Sequence, residues 1–483
     1  MKKALSLKNL WDACPEYLRT TVGRALGVLP LGLLLGKSFR RNVAFAEQSQ
    51  FWDKKQIRHY QIEKLKAVLS LAYEKSIYYR NVFRAVGFEP GDFKTLEDIR
   101  QLPLIDRNTV RDHLSQMCTG SVDDPRIDYA ATGGTGGEPL SFYLNRDRSA
   151  VEYAYLTTSW RRVGYSLGMP LAVFRGRTVQ PKRDGFYHCY DPLLRYHYYS
   201  NFHMTDDNMR KYLEHVAKIG PCFLHVYPSS AYAIARFIRR TGISPPANIR
   251  GLIAESEIVY PEQRTLIEET FHARLFSLYG HSEKLVLACG CEYSNDYHVW
   301  PTYGYFELVD SQGDSITTPG QRGEIVGTGF ISTIVPFIRY RTGDYATYVG
   351  DHCSRCGRQH PIICDIRGHR VQEMLIADDG SEISWTAMNM HDDTFDRVRQ
   401  FQFYQDTPGK GILKIVPSTN YDQADSLRIY HNLQKKFGGR FNFTIELCSE
   451  IQLSPRGKNI YVDQRIKTSV EPDSPLTLQE QHA

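Results

Sequence analysis

The sequence predicts an α/β protein in two unequal parts, a large multi-subdomain N-terminal domain and a small α+β domain after it. Three observations carry this expectation. Helical and strand-like segments alternate through about residue 280. From Tyr303 to Phe337 the segments become short, β-like and punctuated by glycine, as in "YGYFELVD" and "GEIVGTGF". After about Ile366 a strand, turn, strand, helix and strand follow in order, a unit of roughly 100 residues. The 483-residue chain is also too long for one ordinary core. Boundaries are expected at 1–365 for the large domain, with a helical lead-in, and 366–468 for the small one. Residues 469–483 are rich in Pro, Ser, Gln and Glu and are expected to form a disordered tail.

Taken in order, the elements have local reasons. "ALGVLPLGLLLG", Ala25 to Gly36, is apolar but shorter than the roughly 20 residues a bilayer span needs, and Pro30 interrupts it. It reads as a buried hairpin or helix, with peripheral attachment to a membrane face as the alternative. Gln61 to Phe83 places Ile62, Leu65, Leu69 and Ala72 at helical spacing. "TDDNMRKYLEHVAKIG" opens on a cap-like Thr205 or Asp206 and closes at Gly220. "CFLHVYPSS" reads as a strand stopped by Pro228, Ala231 to Arg240 as a helix, and "NIRGLIAESE" as a strand. In the small unit, "FQFYQD", "GILKIVPS" and "FNFTIELC" read as strands, and Ala424 to Phe437 as a helix.

Composition narrows the class. Hydrophobic residues make up 42% and charged residues 23%, as in soluble globular proteins. The net charge is +5 with no Lys/Arg block, so no nucleic-acid partner is expected. Six of the ten cysteines stand isolated, which fits a reducing, cytoplasmic setting better than a disulfide framework.

The densest local signal is "YAATGGTGGEPLSFYL", Tyr129 to Leu144. Gly133, Gly134, Gly136 and Gly137 alternate with Thr132 and Thr135 between two strand-like flanks. Glycine loses the most entropy on ordering, so clustering it implies unusual dihedrals or close approach to a ligand. Glu138 and Pro139 rule out a nucleoside-triphosphatase phosphate loop, and a strand rather than a helix follows, which rules out the dinucleotide fingerprint. A plain glycine hairpin and a loop whose amides wrap a polyphosphate both remain open.

The order of motifs beyond that loop resembles the adenylate-forming superfamily, in which ATP and a carboxylate give an acyl-adenylate and pyrophosphate. Within it the chain looks like the phenylacetate–coenzyme A ligase family and, there, the capsular polysaccharide biosynthesis adenylating proteins. The resemblance covers roughly residues 60 to 467. "TGGTGGEP" matches the loop that holds the ATP phosphates, but Glu138 stands where many members carry lysine. Glu257 of "AESE" falls at the turn against adenine and ribose. In "LYGHSEK", Tyr279, Gly280, Ser282 and Glu283 match the signature whose tyrosine stacks on adenine and whose glutamate holds magnesium. Asp344 of "YRTGDYA" matches the aspartate that accepts both ribose hydroxyls. "DIRGHRVQE" matches the hinge, with Arg367 or Arg370 toward the nucleotide. Lys458 of "LSPRGKNIYV" matches the lysine that bridges the carboxylate and the α-phosphate. A cation there offsets the repulsion between two anions.

Cys353 and Cys356, followed by Gly357, have the spacing of a zinc knuckle, and Cys291 with His298 completes a Cys3His set, as several family members share. Cys289 is an alternative to Cys291. Four protein ligands leave no open position, so the zinc is expected to be structural. Tyr227, Pro228 and Ser229 lie where the family lines its acyl pocket, and the aromatic stretch Asp184 to Ser200 could contribute to it or be ordinary core. The resemblance implies ATP, magnesium, a small carboxylic acid, and an acceptor that is coenzyme A or an amine or hydroxyl on a polysaccharide precursor. A catalytically degenerate scaffold is the competing expectation, and Glu138 speaks for it.

Overall fold

The computed structural model describes residues 22, 23, 26, 29–132, 140–368, 373–388, 390, 392–451 and 461–466. Gly133 to Gly137, Arg370, Lys458 and the tail expected from residue 469 lie outside the described residues.

Two strands, β1 (Ile127–Ala131) and β2 (Ser141–Asn145), form an antiparallel hairpin across the glycine-rich stretch. The main sheet takes in β3 (Leu171–Phe174), β4 (His188–Asp191), β5 (Tyr196–Tyr199), β6 (Cys222–Val226), β7 (Ile249–Ala254) and β8 (Leu275–Gly280). It continues through β9 (Leu287–Cys289), β10 (Tyr297–Val299), β11 (Gly304–Val309), β12 (Arg322–Gly329), β13 (Tyr340–Gly350) and β14 (Ile362–Arg367). Its twelve strands run β11-β12-β13-β14-β10-β9-β8-β7-β6-β3-β5-β4. Strands β5, β3, β6, β7 and β8 pair in parallel, and the rest of the sheet is antiparallel.

The parallel half is buried on both faces, and its side chains alternate accordingly. Cys222, Leu224 and Val226 point into a core with helices Asp206–Val216, Pro228–Thr241 and Pro261–Phe271. Phe223 and Ile253 point the other way, into a core that holds Tyr155 and Trp160 of helix Arg148–Trp160. Cys222–Val226 is a continuous apolar run for that reason, apart from His225, which meets Trp160 edge-on.

The small unit is built on β15 (Met374–Ile376), β16 (Glu382–Ser384), β17 (Val398–Thr407), β18 (Lys410–Pro417), β19 (Asn442–Leu447) and β20 (Val462–Gln464). The last four form one sheet, ordered β19-β18-β17-β20, with helix Gln423–Phe437 against it. That helix opens on an Asp422/Asp425 capping box and ends at Gly438, whose φ of 62° a side chain would disfavour.

Three local expectations need correction. The helix expected over 61–83 is two, Lys54–Lys75 and Ile77–Ala85. Buried Ser76 breaks it, because its Oγ accepts from Tyr79 N and donates to Gln116 O, capping the second helix by about 1 kcal/mol. The helix expected from Ala231 starts at Pro228, since proline at the first turn opens a helix as readily as it stops a strand. Of the buried hairpin or helix expected for the apolar lead-in, the described part is helical but not buried. It is a short helix, Leu31–Leu34, ahead of a second at Gly36–Ser49, and Leu29 and Leu33 are each 48% exposed. Among the described residues no helix is long and apolar enough to cross a membrane.

Candidate functional site

Ligands of open α/β sheets gather outside the carboxyl ends of parallel strands, where loops leave the sheet. Here β7 ends at Ala254 and releases Glu255, Ser256 and Glu257, while β8 ends at Gly280 and releases His281, Ser282 and Glu283. Both loops line a cleft of about 960 Å³. Thr132, Glu257, Tyr279, Gly280, Ser282, Glu283, Asp344 and Arg367 all line it, so one space gathers side chains from five separate stretches of sequence.

Asp344 and Tyr279 are directly coupled. Tyr279 Oη donates to Asp344 Oδ2 at 2.8 Å. The aspartate is held from behind by its own turn. Gly343 has φ 73°, its N–H donates to Glu324 Oε1, and Asp344 N donates to Thr342 Oγ1. One carboxylate oxygen is thereby fixed by the tyrosine, and among the described residues the other accepts no side-chain hydrogen bond.

Glu283 is 6% exposed. It accepts from Tyr340 Oη at 3.2 Å, and His281 Nδ1 lies 3.1 Å from its other oxygen. Val286 N donates to His281 Nε2, which leaves the imidazole proton on Nδ1, facing Glu283. Burial opposes the charge, but His281 and the Arg107 guanidinium outweigh it and bring the Glu283 pKa down to about 2. The carboxylate is therefore ionised at neutral pH. Arg107 was not anticipated from the sequence. It follows the N-cap Asp106 of helix Arg107–Met117, and "IDRNTV" carries nothing that separates it from any helix-opening arginine.

Glu257 lines the cleft, yet its carboxylate is occupied. It accepts from Ser229 N and Oγ, both at 2.9 Å, and from Ser384 Oγ of the small unit at 2.6 Å. Ser229 sits in the first turn of helix Pro228–Thr241, where a carboxylate satisfies open N–H groups. Tyr227, Pro228 and Ser229 are buried and are not among the described residues that line the cleft. Tyr227 lies under Arg175, which is paired with Glu255 at 2.9 Å and hydrogen-bonds Ser256. The small unit also meets the glycine-rich hairpin, where Ser141 Oγ and Tyr129 Oη donate to Asp396.

Behind the cleft, Cys291, His298, Cys353 and Cys356 bring one ligand atom each within 4.8 Å of the others. The sheet does this. His298 pairs with Cys289 across β9 and β10, which carries Cys291 past it, and the connection between β13 and β14 folds the other two cysteines back. Cys353 O accepts from Gly357 N, and Gly357 has φ 78°. Tyr293 N donates to Cys291 Sγ. Burial opposes thiolate formation at Cys353, but N–H groups of Cys356 and Arg355 lower its pKa below the ordinary thiol value. His298 Nε2 is buried and has no hydrogen-bond partner, and burial, with Arg162 and Arg358 nearby, keeps the ring neutral with a pKa of about 3. A neutral imidazole with an orphaned nitrogen beside three thiols fits a tetrahedral zinc. Cys289 turns elsewhere, toward Ser159 Oγ and Arg162.

The fold is one found in adenylate-forming ligases. The fold matches 2-hydroxyisobutyryl-CoA ligase, solved with 2-HIB-AMP and CoA in its thioesterification state, at a TM-score of 0.57 and 20% identity over 86% of this chain and 92% of that one. An open conformation of the same ligase matches at a TM-score of 0.52. More particularly, the chain is homologous to CapK and to phenylacetate–coenzyme A ligases. It is 23% identical to protein CapK of Staphylococcus aureus over 398 residues, 82% of this chain and 86% of that protein. It is 25% identical to phenylacetate-coenzyme A ligase of Thermus thermophilus over 350 residues, 67% of this chain and 72% of that protein. Residues 375–465 match the model of the CapK C-terminal domain.

Proposed function

We propose that this protein uses ATP to activate a carboxylic acid as its acyl-adenylate and then passes the acyl group to coenzyme A, or to an amine or hydroxyl of a surface or capsular polysaccharide precursor. The observation that carries the reading is the Tyr279–Asp344 hydrogen bond at the mouth of a cleft that also holds ionised Glu283.

In the first half-reaction a carboxylate oxygen attacks the α-phosphorus of ATP, and the bond to pyrophosphate breaks. Asp344 offers its free oxygen to the ribose hydroxyls, while the Tyr279 ring faces adenine. Glu283 would hold magnesium, which supplies charge neutralisation on the phosphates when bound. Arg107, beside Glu283, adds a second positive charge. Arg367 or Arg370 meets the nucleotide near the hinge, and the Thr132–Gly137 loop wraps the phosphates. Lys458 joins the carboxylate and α-phosphate. In the second half-reaction the acceptor attacks the acyl carbon and AMP leaves. The small domain rotates between the two, so Lys458 serves only the first.

The Cys291, His298, Cys353 and Cys356 set would hold a structural zinc that ties the segment after the Tyr279 motif to the segment after Asp344. A role in polysaccharide assembly in the cytoplasm, suggested by the likeness to CapK, belongs to the same proposal. Peripheral contact of the exposed leucines of the lead-in with the membrane belongs to the same proposal. The test is pyrophosphate release from ATP across a panel of acids, with and without coenzyme A. Release with one acid class supports the reading. Absence of release with every acid, in folded zinc-loaded protein, leaves the scaffold reading in its place.

A further inference from the structure

We propose a second metal site, on the far edge of the main sheet, formed by His188, His197 and His215. It is independent of the adenylation reading. The three histidines come from three elements: His188 from the edge strand β4, His197 from β5, and His215 from the last turn of helix Asp206–Val216. One ring nitrogen from each lies within 4.8 Å of the others. His188 is buried, while His197 and His215 are half-buried, so the trio opens to solvent on one side.

The contact between the first two is informative. His188 Nε2 and His197 Nδ1 are 3.1 Å apart. Two nitrogens bound tetrahedrally to one zinc, each at 2.0–2.1 Å, stand about 3.4 Å apart. The pair is therefore close to ligand spacing already. His215 Nδ1 is 2.7 Å from Tyr199 Oη, which orients the ring and leaves Nε2 for a metal. Phe186 stacks on His188 and Tyr190 lies against His197, so packing restricts both rings. An imidazole-only set suits a borderline divalent cation such as Zn²⁺. Three protein ligands leave a fourth position to water or an exchangeable ligand, unlike the closed cysteine set.

One feature opposes the metal. Lys182 Nζ lies 3.2 Å from His188 Nδ1, where a metal-bound imidazole would need to carry its proton. Metal binding must displace this ammonium, so Lys182 sets the affinity.

The test uses the full chain with its cysteine set intact. Protein saturated with Zn²⁺ and freed of excess by gel filtration is analysed for metal per chain. The wild type is expected to hold one more zinc than the His197→Ala/His215→Ala double variant. Substituted with Co²⁺, the additional site should show ligand-field bands without a thiolate charge-transfer band. Equal zinc content in wild type and double variant overturns the site. Should that variant not fold, Lys182→Met keeps all three histidines. It is expected to tighten Zn²⁺ about tenfold, and unchanged affinity would overturn the proposal.

Discussion

Replacing Asp344 by alanine separates what this carboxylate does for the fold from what it does for a nucleotide. Among the described residues, its one side-chain bond in the cleft is from Tyr279 Oη at 2.8 Å. A hydrogen bond to a charged group contributes about 1.5–3 kcal/mol, but Tyr279 is only half-buried, so water replaces part of it. The stability loss in Asp344→Ala should be about 1 kcal/mol. The free oxygen of Asp344 makes its contacts only when the ribose arrives. Losing those should weaken ATP by about 1–3 kcal/mol, or roughly 5- to 150-fold in Kd. Tyr279→Phe is the control. It keeps the ring and removes the same bond from the other side, so it should cost similar stability but less than about tenfold in ATP affinity. Thermal unfolding and calorimetric ATP titration of both variants and the double variant give the cycle. Unchanged ATP affinity in folded Asp344→Ala would refute the assignment. Equal losses in the two variants would mean that the tyrosine–aspartate bond, not the ribose contact, shapes the site.

The remaining predictions concern the metal, Lys458 and a buried acid. Protein purified without chelator should carry zinc bound by Cys291, His298, Cys353 and Cys356, and Cys353→Ser should lower thermal stability before it alters nucleotide chemistry; elemental analysis that finds no zinc defeats this. Lys458→Ala should slow acyl-adenylate formation on the order of a hundredfold or more while largely sparing transfer from a pre-made acyl-adenylate. Separate half-reaction assays decide it, and equal loss in both would remove the lysine's special role. Glu373 accepts from Tyr461 N and Val462 N, but burial dominates and pushes its pKa up to about 8. The folded state then holds a proton that the unfolded state has released above about pH 4.5, so stability should fall as pH rises from there through 8. Glu373→Gln should flatten that decline in melting profiles at pH 5 to 9, and an unchanged slope counts against a neutral Glu373.

Element identity was largely legible from sequence because it depends on short-range periodicity and capping. Thr205 capping its helix through Asn208 N, Gly438 ending another, and the apolar run of β6 are decisions made within a few residues. The breaks were less legible. Ser76 divides a helix because its hydroxyl donates to Gln116 O, forty residues away, and no window around Ser76 contains that partner.

The site follows the same division. The motifs around residues 132, 257, 279–283, 344 and 367 could be named from sequence, since each is a local string, and the cleft lining includes residues from all of them. That Asp344 meets Tyr279, that Glu257 is taken up by Ser229 and Ser384, and that Arg107 stands beside Glu283 came from tertiary structure alone. So did the choice of Cys291 over Cys289 in the cysteine set and the meeting of three histidines at the sheet edge. The reason is geometric. Residues two apart on a strand share a face, and the register with β10 sets His298 opposite Cys289, so it is the chain beyond the end of β9 at Cys289 that carries Cys291, rather than Cys289, to His298 and the other two cysteines.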